Sequence, residues 1–248
     1  MANLPFRPKD GLYLKDDFMS NDSVADALFG EQRWEIVTIG NASTLASLVT
    51  TNTVPGRYGI LRMTTAATAD GDGEAVRLIA DGFVLNENRG SCSASFRYPT
   101  AANQLAGNDF QFGLQDSVTA TESTVGIWMF SDAGVISLQA DSADHGDVSA
   151  AAAQPAGNQT LTSGTTAVLG TWHDVDFTWT GPENAQGGPS SAVLTVDGIP
   201  AGTLNGQINI DDDEEMEFGF KHYQNSGGAL ATLIDIDYID LLIMRGKY

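Results

Sequence analysis

Hydrophobic and polar residues alternate with a period of two along much of this chain, and helical periodicity is nearly absent. In Ser91–Tyr98, Cys92, Ala94, Phe96 and Tyr98 alternate with Ser91, Ser93, Ser95 and Arg97. In Asp109–Gln115, Phe110, Phe112 and Leu114 alternate with Asp109, Gln111, Gly113 and Gln115. Along Trp172–Thr180, His173, Val175, Phe177 and Trp179 face one way, and Asp174, Asp176 and Thr178 the other. Met216, Phe218, Phe220 and His222 repeat the pattern. Each such run predicts a strand with one apolar face, as an antiparallel sheet with one solvated side requires. Further runs at Arg33–Ile39, Arg57–Met63, Glu74–Ala80, Val125–Phe130, Val135–Ala140 and Ser191–Asp197 are separated by Gly, Asn, Asp and Ser clusters.

The longest run is Leu233–Met244, which carries Asp235, Asp237 and Asp240. Residues two apart on a strand share a face, so Asp235 and Asp237 point together, and Asp240 joins them only through a bulge. The alternation puts Ile234, Ile236 and Tyr238 inward. Ile239, Leu241 and Ile243 then supply the apolar side, so a bulge or a change of burial is expected near Asp240.

Many short strands with little helix predict an all-β fold, a two-sheet antiparallel β-sandwich or jelly roll. Asp22–Gly30 has a cap residue, helix formers and a terminal glycine, which predicts one short helix. Residues 1–11 carry Pro5 and Pro8 and read as an extended arm, while 12–248 form a single domain without a linker. Residues 141–170 are rich in Ala, Gly, Ser and Thr, and read either as a mobile loop or as a small-residue strand pair covered by another subunit.

Charge changes the functional picture more than the fold. Against 12 lysines and arginines stand 32 aspartates and glutamates, a formal net charge of −20. Such a surface repels phosphate backbones and anionic membranes, so neither nucleic acid nor membrane is an expected partner. Cys92 is the single cysteine, which rules out an intrachain disulfide and a thiolate-rich metal site. The first residues hold no apolar run of signal-peptide length, so the chain is expected to be made in the cytoplasm without a cleaved export signal.

Chemistry-bearing clusters are few. Asp70-Gly-Asp-Gly-Glu74 has the look of a calcium turn, with Asp70, Asp72 and Glu74 as ligands, and Asp211, Asp212 and Asp213 open the densest acidic run. Solvated hairpin turns are the simpler reading, with no cofactor needed and a structural calcium as the alternative. His145, His173 and His222 lack metal-ligand spacing; His173 and His222 sit on apolar strand faces and read as hydrogen-bonded core or interface histidines. Trp34, Trp128, Trp172 and Trp179 offer either core packing or a sugar-stacking platform.

Three segments resemble the concanavalin A-like lectin/glucanase jelly roll. They are Lys15-Asp-Asp-Phe18 with Trp34, Gly170–Trp179 with Ala192–Gly198, and Ile236–Asp240. Asp197-Gly198 suits a tight hairpin turn. Laminarinase-type members use Glu-x-Asp-x-x-Glu as paired carboxylates about 5 Å apart. Asp235, Asp237 and Asp240 match that pattern in spacing, with aspartate at both glutamate positions and a C-terminal place in the chain. The resemblance therefore implies a scaffold rather than catalysis.

The runs Asp16-Asp-Phe18, Leu28-Phe-Gly30, Trp34-Glu35, Gly59–Thr65 and Phe110–Asp116 are similar to jelly-roll proteins of tailed-phage virions. That similarity implies a non-catalytic structural protein, a capsid decoration or cement protein, bound to the major capsid protein or to other virion proteins. It also implies a homo-oligomer such as a trimer, located in the virion. Leu4, Pro5, Phe6, Arg7 and Pro8 would engage a neighbour. The alternative is a lectin-like module that binds a glycan for host recognition, and after it a laminarinase-type hydrolase.

Overall fold

A computed structural model describes residues 11–18, 32–40, 47–49, 57, 59–65, 71–78, 83, 89–99, 105, 107–118, 123, 125–141, 159–180, 191–205, 215–224 and 231–244. The expected helix over Asp22–Gly30 and residues 1–10 of the arm lie outside them. The described residues form fifteen strands and no helix.

In chain order the strands are β1 (Gly11–Asp16), β2 (Glu35–Ile39), β3 (Ser47–Val49), β4 (Ile60–Thr64), β5 (Gly73–Arg77), β6 (Arg89–Arg97), β7 (Asn108–Gln115) and β8 (Gly126–Asp132). There follow β9 (Val135–Asp141), β10 (Gln159–Thr166), β11 (His173–Thr180), β12 (Ser191–Val196), β13 (Ile199–Asn205), β14 (Glu217–Gln224) and β15 (Leu233–Met244).

They build two antiparallel sheets. One has eight strands in the order β13-β12-β11-β6-β15-β4-β3, with β1 on β15; the other has seven, β10-β9-β8-β7-β14-β5-β2. This is the predicted β-sandwich. Strand β15 is long enough to hold two partners along one edge. Its first residues pair with β4 (Ile236↔Leu61), and its last six pair with β1, where Gly11 meets Met244. Gly11, assigned by sequence to the arm, is thus the first residue of a strand.

The core lies between the sheets and carries the predicted apolar faces. Phe96, Phe110, Phe112, Phe177, Trp179, Phe218 and Phe220 are each no more than 2% exposed. Trp34 joins them, its ring centroid 5.7 Å from Phe220, and its indole N–H donates to Asp16 Oδ2 at 2.8 Å. Asp197 and Gly198 turn between β12 and β13 with φ of 53° and 76°, the left-handed pair that a two-residue hairpin needs. Ala133 and Gly134 make the same turn between β8 and β9, at 49° and 84°.

Three expectations change. Strands β7 and β14 are buried along their full length, so they do not have one wet face. The small-residue stretch supplies one strand, β10, which pairs with β9 at the sheet edge, while residues 142–158 lie outside the described residues. The bulge in β15 falls between Ile236 and Tyr238 rather than near Asp240. Ile236 opposes Phe96 and Tyr238 opposes Ser95, which leaves Asp237 as the extra residue. Tyr238 therefore points outward with Ser95, half-buried under Lys15, whose ammonium lies 5.7 Å from the ring centroid.

Candidate functional site

The bulge has a chemical consequence. It brings Asp235, Asp237 and Asp240 to the outer face of the eight-stranded sheet, where basic groups meet the first two. Asp235 is fully buried, and Arg62 and Arg97 stand opposite it on the flanking strands. Arg62 grips it with Nε at 2.7 Å and Nη2 at 2.9 Å, and Arg97 Nη2 adds a contact of 2.9 Å. Such a fork fixes both carboxylate oxygens. Asp237 accepts from Arg57 Nη1 at 2.6 Å; its pKa is raised by burial, with Arg57 working in the opposite direction. Burial also raises Asp240 against its hydrogen bonds from Ser93. Trp172 lies under Arg57 and Arg97, 4.2 and 4.8 Å from ring centroid to guanidinium carbon. Both oxygens of Asp235 are held by arginines, so the spacing shared with glucanases does not leave two free carboxylates here.

The outer face of the seven-stranded sheet is different. The residues that alternate with core Phe110, Phe112, Phe218 and Phe220 are Asp109, Gln111, Gln115, Glu217, Lys221 and Tyr223, and all six are buried. Gln111 and Lys221 are Cα partners across β7 and β14, as are Asp109 and Tyr223. Gln111 Nε2 donates to the Tyr223 hydroxyl at 2.8 Å, while its Oε1 has no partner. Gln115 Nε2 and the indole N–H of Trp128 are buried without partners as well. Trp128 stands on this face beside Gly113, where a Cβ would lie 2.8 Å from the Trp128 Cα. A glycine at that strand centre is what lets the neighbouring backbone approach.

Val118 and Ser123, the described residues of the β7–β8 connection that reach it, lie over the same face. Val118 rests on Gly219, where an added Cβ would lie 3.1 Å from Val118 Cγ1, and it packs with Ile39 and Ala75. The Val118 N–H donates to Glu217 Oε2 at 2.8 Å. Lys221 Nζ donates to Ser123 Oγ at 2.9 Å, and the Ser123 hydroxyl donates to Gln115 Oε1 at 2.6 Å. Sequence reasoning placed Gln111 and Gln115 in water because they hold the polar positions of their strand. The glycines at the centres of β7 and β14, Gly113 and Gly219, were the available signal.

Both described histidines are hydrogen-bonded, as expected from sequence. His173 Nε2 accepts from the Val168 N–H at 3.1 Å, so its Nδ1–H donates to Asp197 Oδ2 at 2.9 Å. His222 lies in the core, with Nδ1 against the Asp109 carbonyl and Nε2 against the Thr232 hydroxyl, both at 3.2 Å. Burial pushes its pKa down to about 4. Opposite it on β5 is Glu74, whose carboxyl burial pushes up to about 8. A carboxyl protonated at neutral pH is a poor calcium ligand. Asp72 is buried beside Gly40, and Asp70, Asp211, Asp212, Asp213, His145 and residues 4–8 lie outside the described residues. Among the described residues no group of three His, Cys, Asp or Glu is arranged to hold a metal.

No family model matches the chain, and no curated protein matches it. Solved structures do. A protein of unknown function, SO2946 from Shewanella oneidensis MR-1, aligns with a TM-score of 0.58 and 18% identity over 96% of this chain and 90% of its own. The carbohydrate recognition domain of Emp47p aligns at 0.56 and 10% identity, covering 98% and 100%. Alginate lyase Aly36B aligns at 0.54 and 13%, covering 95% and 98%. At these identities the likeness shows the fold, a jelly-roll sandwich that occurs in lectins and in polysaccharide lyases alike.

Proposed function

We propose that this protein binds carbohydrate on the outer face of the seven-stranded sheet. One observation carries the reading: Gln111 is 7% exposed, holds the Tyr223 hydroxyl through its amide nitrogen, and leaves its amide oxygen without a partner. Buried polar groups in folded proteins are nearly always paired, so an orphan on an outward sheet face marks the place of an absent partner. Sugar hydroxyls both donate and accept, and they suit an amide oxygen set beside a phenol hydroxyl and its ring. The neighbours described as a carbohydrate recognition domain and an alginate lyase support a glycan as the ligand. A phage particle, which the sequence resemblance implies, enters only as the setting in which a host glycan would be met.

The test is a glycan array of neutral, uronate and sialylated chains. We expect retention of at least one class, and its loss in Gln111→Ala and Tyr223→Phe. No retained glycan, or retention that neither variant weakens, overturns the proposal. A reducing-end assay run beside the array separates binding from cleavage; new ends released by the native chain would make this face an active site.

A further inference from the structure

Of the two described histidines, only His173 has a partner that its protonation must break. Its buried ring is held at both nitrogens: Nδ1–H donates to Asp197 Oδ2 at 2.9 Å, and Nε2 accepts the Val168 N–H at 3.1 Å. A backbone N–H can only donate, so Nε2 has to be bare. His222 differs, because its Nε2 meets the Thr232 hydroxyl, which can turn from donor to acceptor. A protonated His173 carries an N–H at each nitrogen. The Asp197 carboxylate still accepts one of them and favours the cation, and its Oδ1 stays tied to the Asp174 N–H at 2.9 Å. The Val168 N–H is left without an acceptor.

Val168 lies where the chain crosses between the sheets, from the end of β10 at Thr166 to the start of β11 at His173. The Ala167 N–H is tied to the Gly134 carbonyl and the Gly170 N–H to the Tyr98 carbonyl, both at 2.7 Å. Val168 and Leu169 lie between these ties. The Val168 side chain is exposed, while Leu169 packs against the core. We infer that His173 is a pH-sensitive pin on this crossover: neutral, it holds Val168 down; protonated, it lets the Val168–Leu169 segment lift and brings Leu169 out beside Val168. The lone pair that takes a proton from solvent is the one that accepts the N–H, so protonation and release are one equilibrium. Few charged groups surround the ring. Asp197 faces it from the β12–β13 turn, and its partner on β6, Phe96, is apolar. Asp174, next on its own strand, bonds Ser95, while Arg97 turns to Asp235. Tyr98, whose phenol burial keeps protonated, feels Asp109 and Asp132. The crossover from Ala167 to Gly170 brings no titratable side chain.

Amide hydrogen exchange of the full chain, read by NMR from about pH 8 to 5, tests the pin. That window stays above the His222 pKa of about 4. The protection factor of the Val168 amide should fall about tenfold as pH drops, the order that one lost hydrogen bond gives. Its midpoint should match that of the His173 ring shifts. The Ala167 and Asp197 amides, bonded to the Gly134 and Asp174 carbonyls, should keep their protection. His173→Gln sets an amide oxygen, which accepts at every pH, in place of Nε2, and the step should vanish. Val168 protection that ignores the His173 titration overturns the inference, as does a ring that stays neutral down to about pH 5. A step with the same midpoint in His173→Gln overturns it too. Should that variant fail to fold, the match or mismatch of the two midpoints in the native chain still decides.

Discussion

Arg97 and Asp235 are Cα partners across β6 and β15, and the guanidinium Nη2 lies 2.9 Å from the carboxylate. With Arg62 opposite on β4, the aspartate is bracketed across three neighbouring strands. Removing one member of a buried ion pair strands the other charge, at a cost of about 3–5 kcal/mol. Asp235→Asn should therefore lower unfolding stability by about 3 kcal/mol, the lower end because Arg62 is one-third exposed. Asp237→Asn, whose partner Arg57 also contacts Asp174, should cost less than half of that. Urea unfolding of the two variants checks the order; equal losses would show that the double bracket adds nothing.

Ser123 links two elements that the chain brings together from far apart, Lys221 at the far end of the sequence and Gln115 eight residues before it. Ser123→Ala leaves a buried ammonium and a buried amide each short of a partner. Orphaning such groups costs about 1–3 kcal/mol. We expect a loss of that size in chemical denaturation, together with faster proteolysis of the 116–125 connection. A loss under about 0.5 kcal/mol would show that water replaces the hydroxyl.

The alternation of β7, β11 and β14 made the sandwich legible, because a buried strand face must repeat every second residue. β10 and β13 were not legible. Gln159–Thr166 and Ile199–Asn205 are edge strands, and Leu161 lies over Gly202 where they meet. One leucine makes no period. The bulge at Asp237 was visible as a change of phase between Ile236 and Ile239, but the phase alone allowed more than one position. The candidate site was hidden for a different reason. Gln111 and Tyr223 occupy polar strand positions 112 residues apart, and nothing local separates a solvated glutamine from one that holds a distant phenol.

Gly90 is set against the ring of Trp179, its partner across β6 and β11. A Cβ there would lie 2.4 Å from Trp179 Cζ2 and 2.2 Å from the Leu242 carbonyl oxygen. The carbonyl belongs to β15 and cannot swing aside like a side-chain tip. Gly90→Ala should cost about 2–3 kcal/mol, the upper range for overpacking, and should shift the Trp179 fluorescence. An unchanged melting temperature would show that the β6–β15 ladder yields more easily than this geometry implies.

Glu74 and His222 face each other across β5 and β14 inside the sandwich, and burial disfavours the charge on both. Glu74 ionises near 4.5 when unfolded and near 8 when folded, so folding takes up a proton between those values. Its contribution to stability is full below pH 4.5 and is lost as pH rises through 8. His222 runs the other way: its folded pKa of about 4 lies below 6.5, so its contribution is full above pH 6.5 and is lost as pH falls through 4. Between about pH 5 and 6 the two slopes oppose and stability should change little with pH. Above pH 6.5 Glu74 alone of the pair still titrates, and its ionisation should lower stability by about 1.4 kcal/mol per pH unit up to pH 8. Glu74→Gln removes that slope, and at pH 7 it lifts the cost of protonating Glu74 on folding, about 3 kcal/mol, less whatever the buried amide loses by lacking a partner. Urea midpoints of the native chain and Glu74→Gln from pH 6.5 to 8.5 would show it. Parallel curves would mean that Glu74 stays ionised in the folded protein.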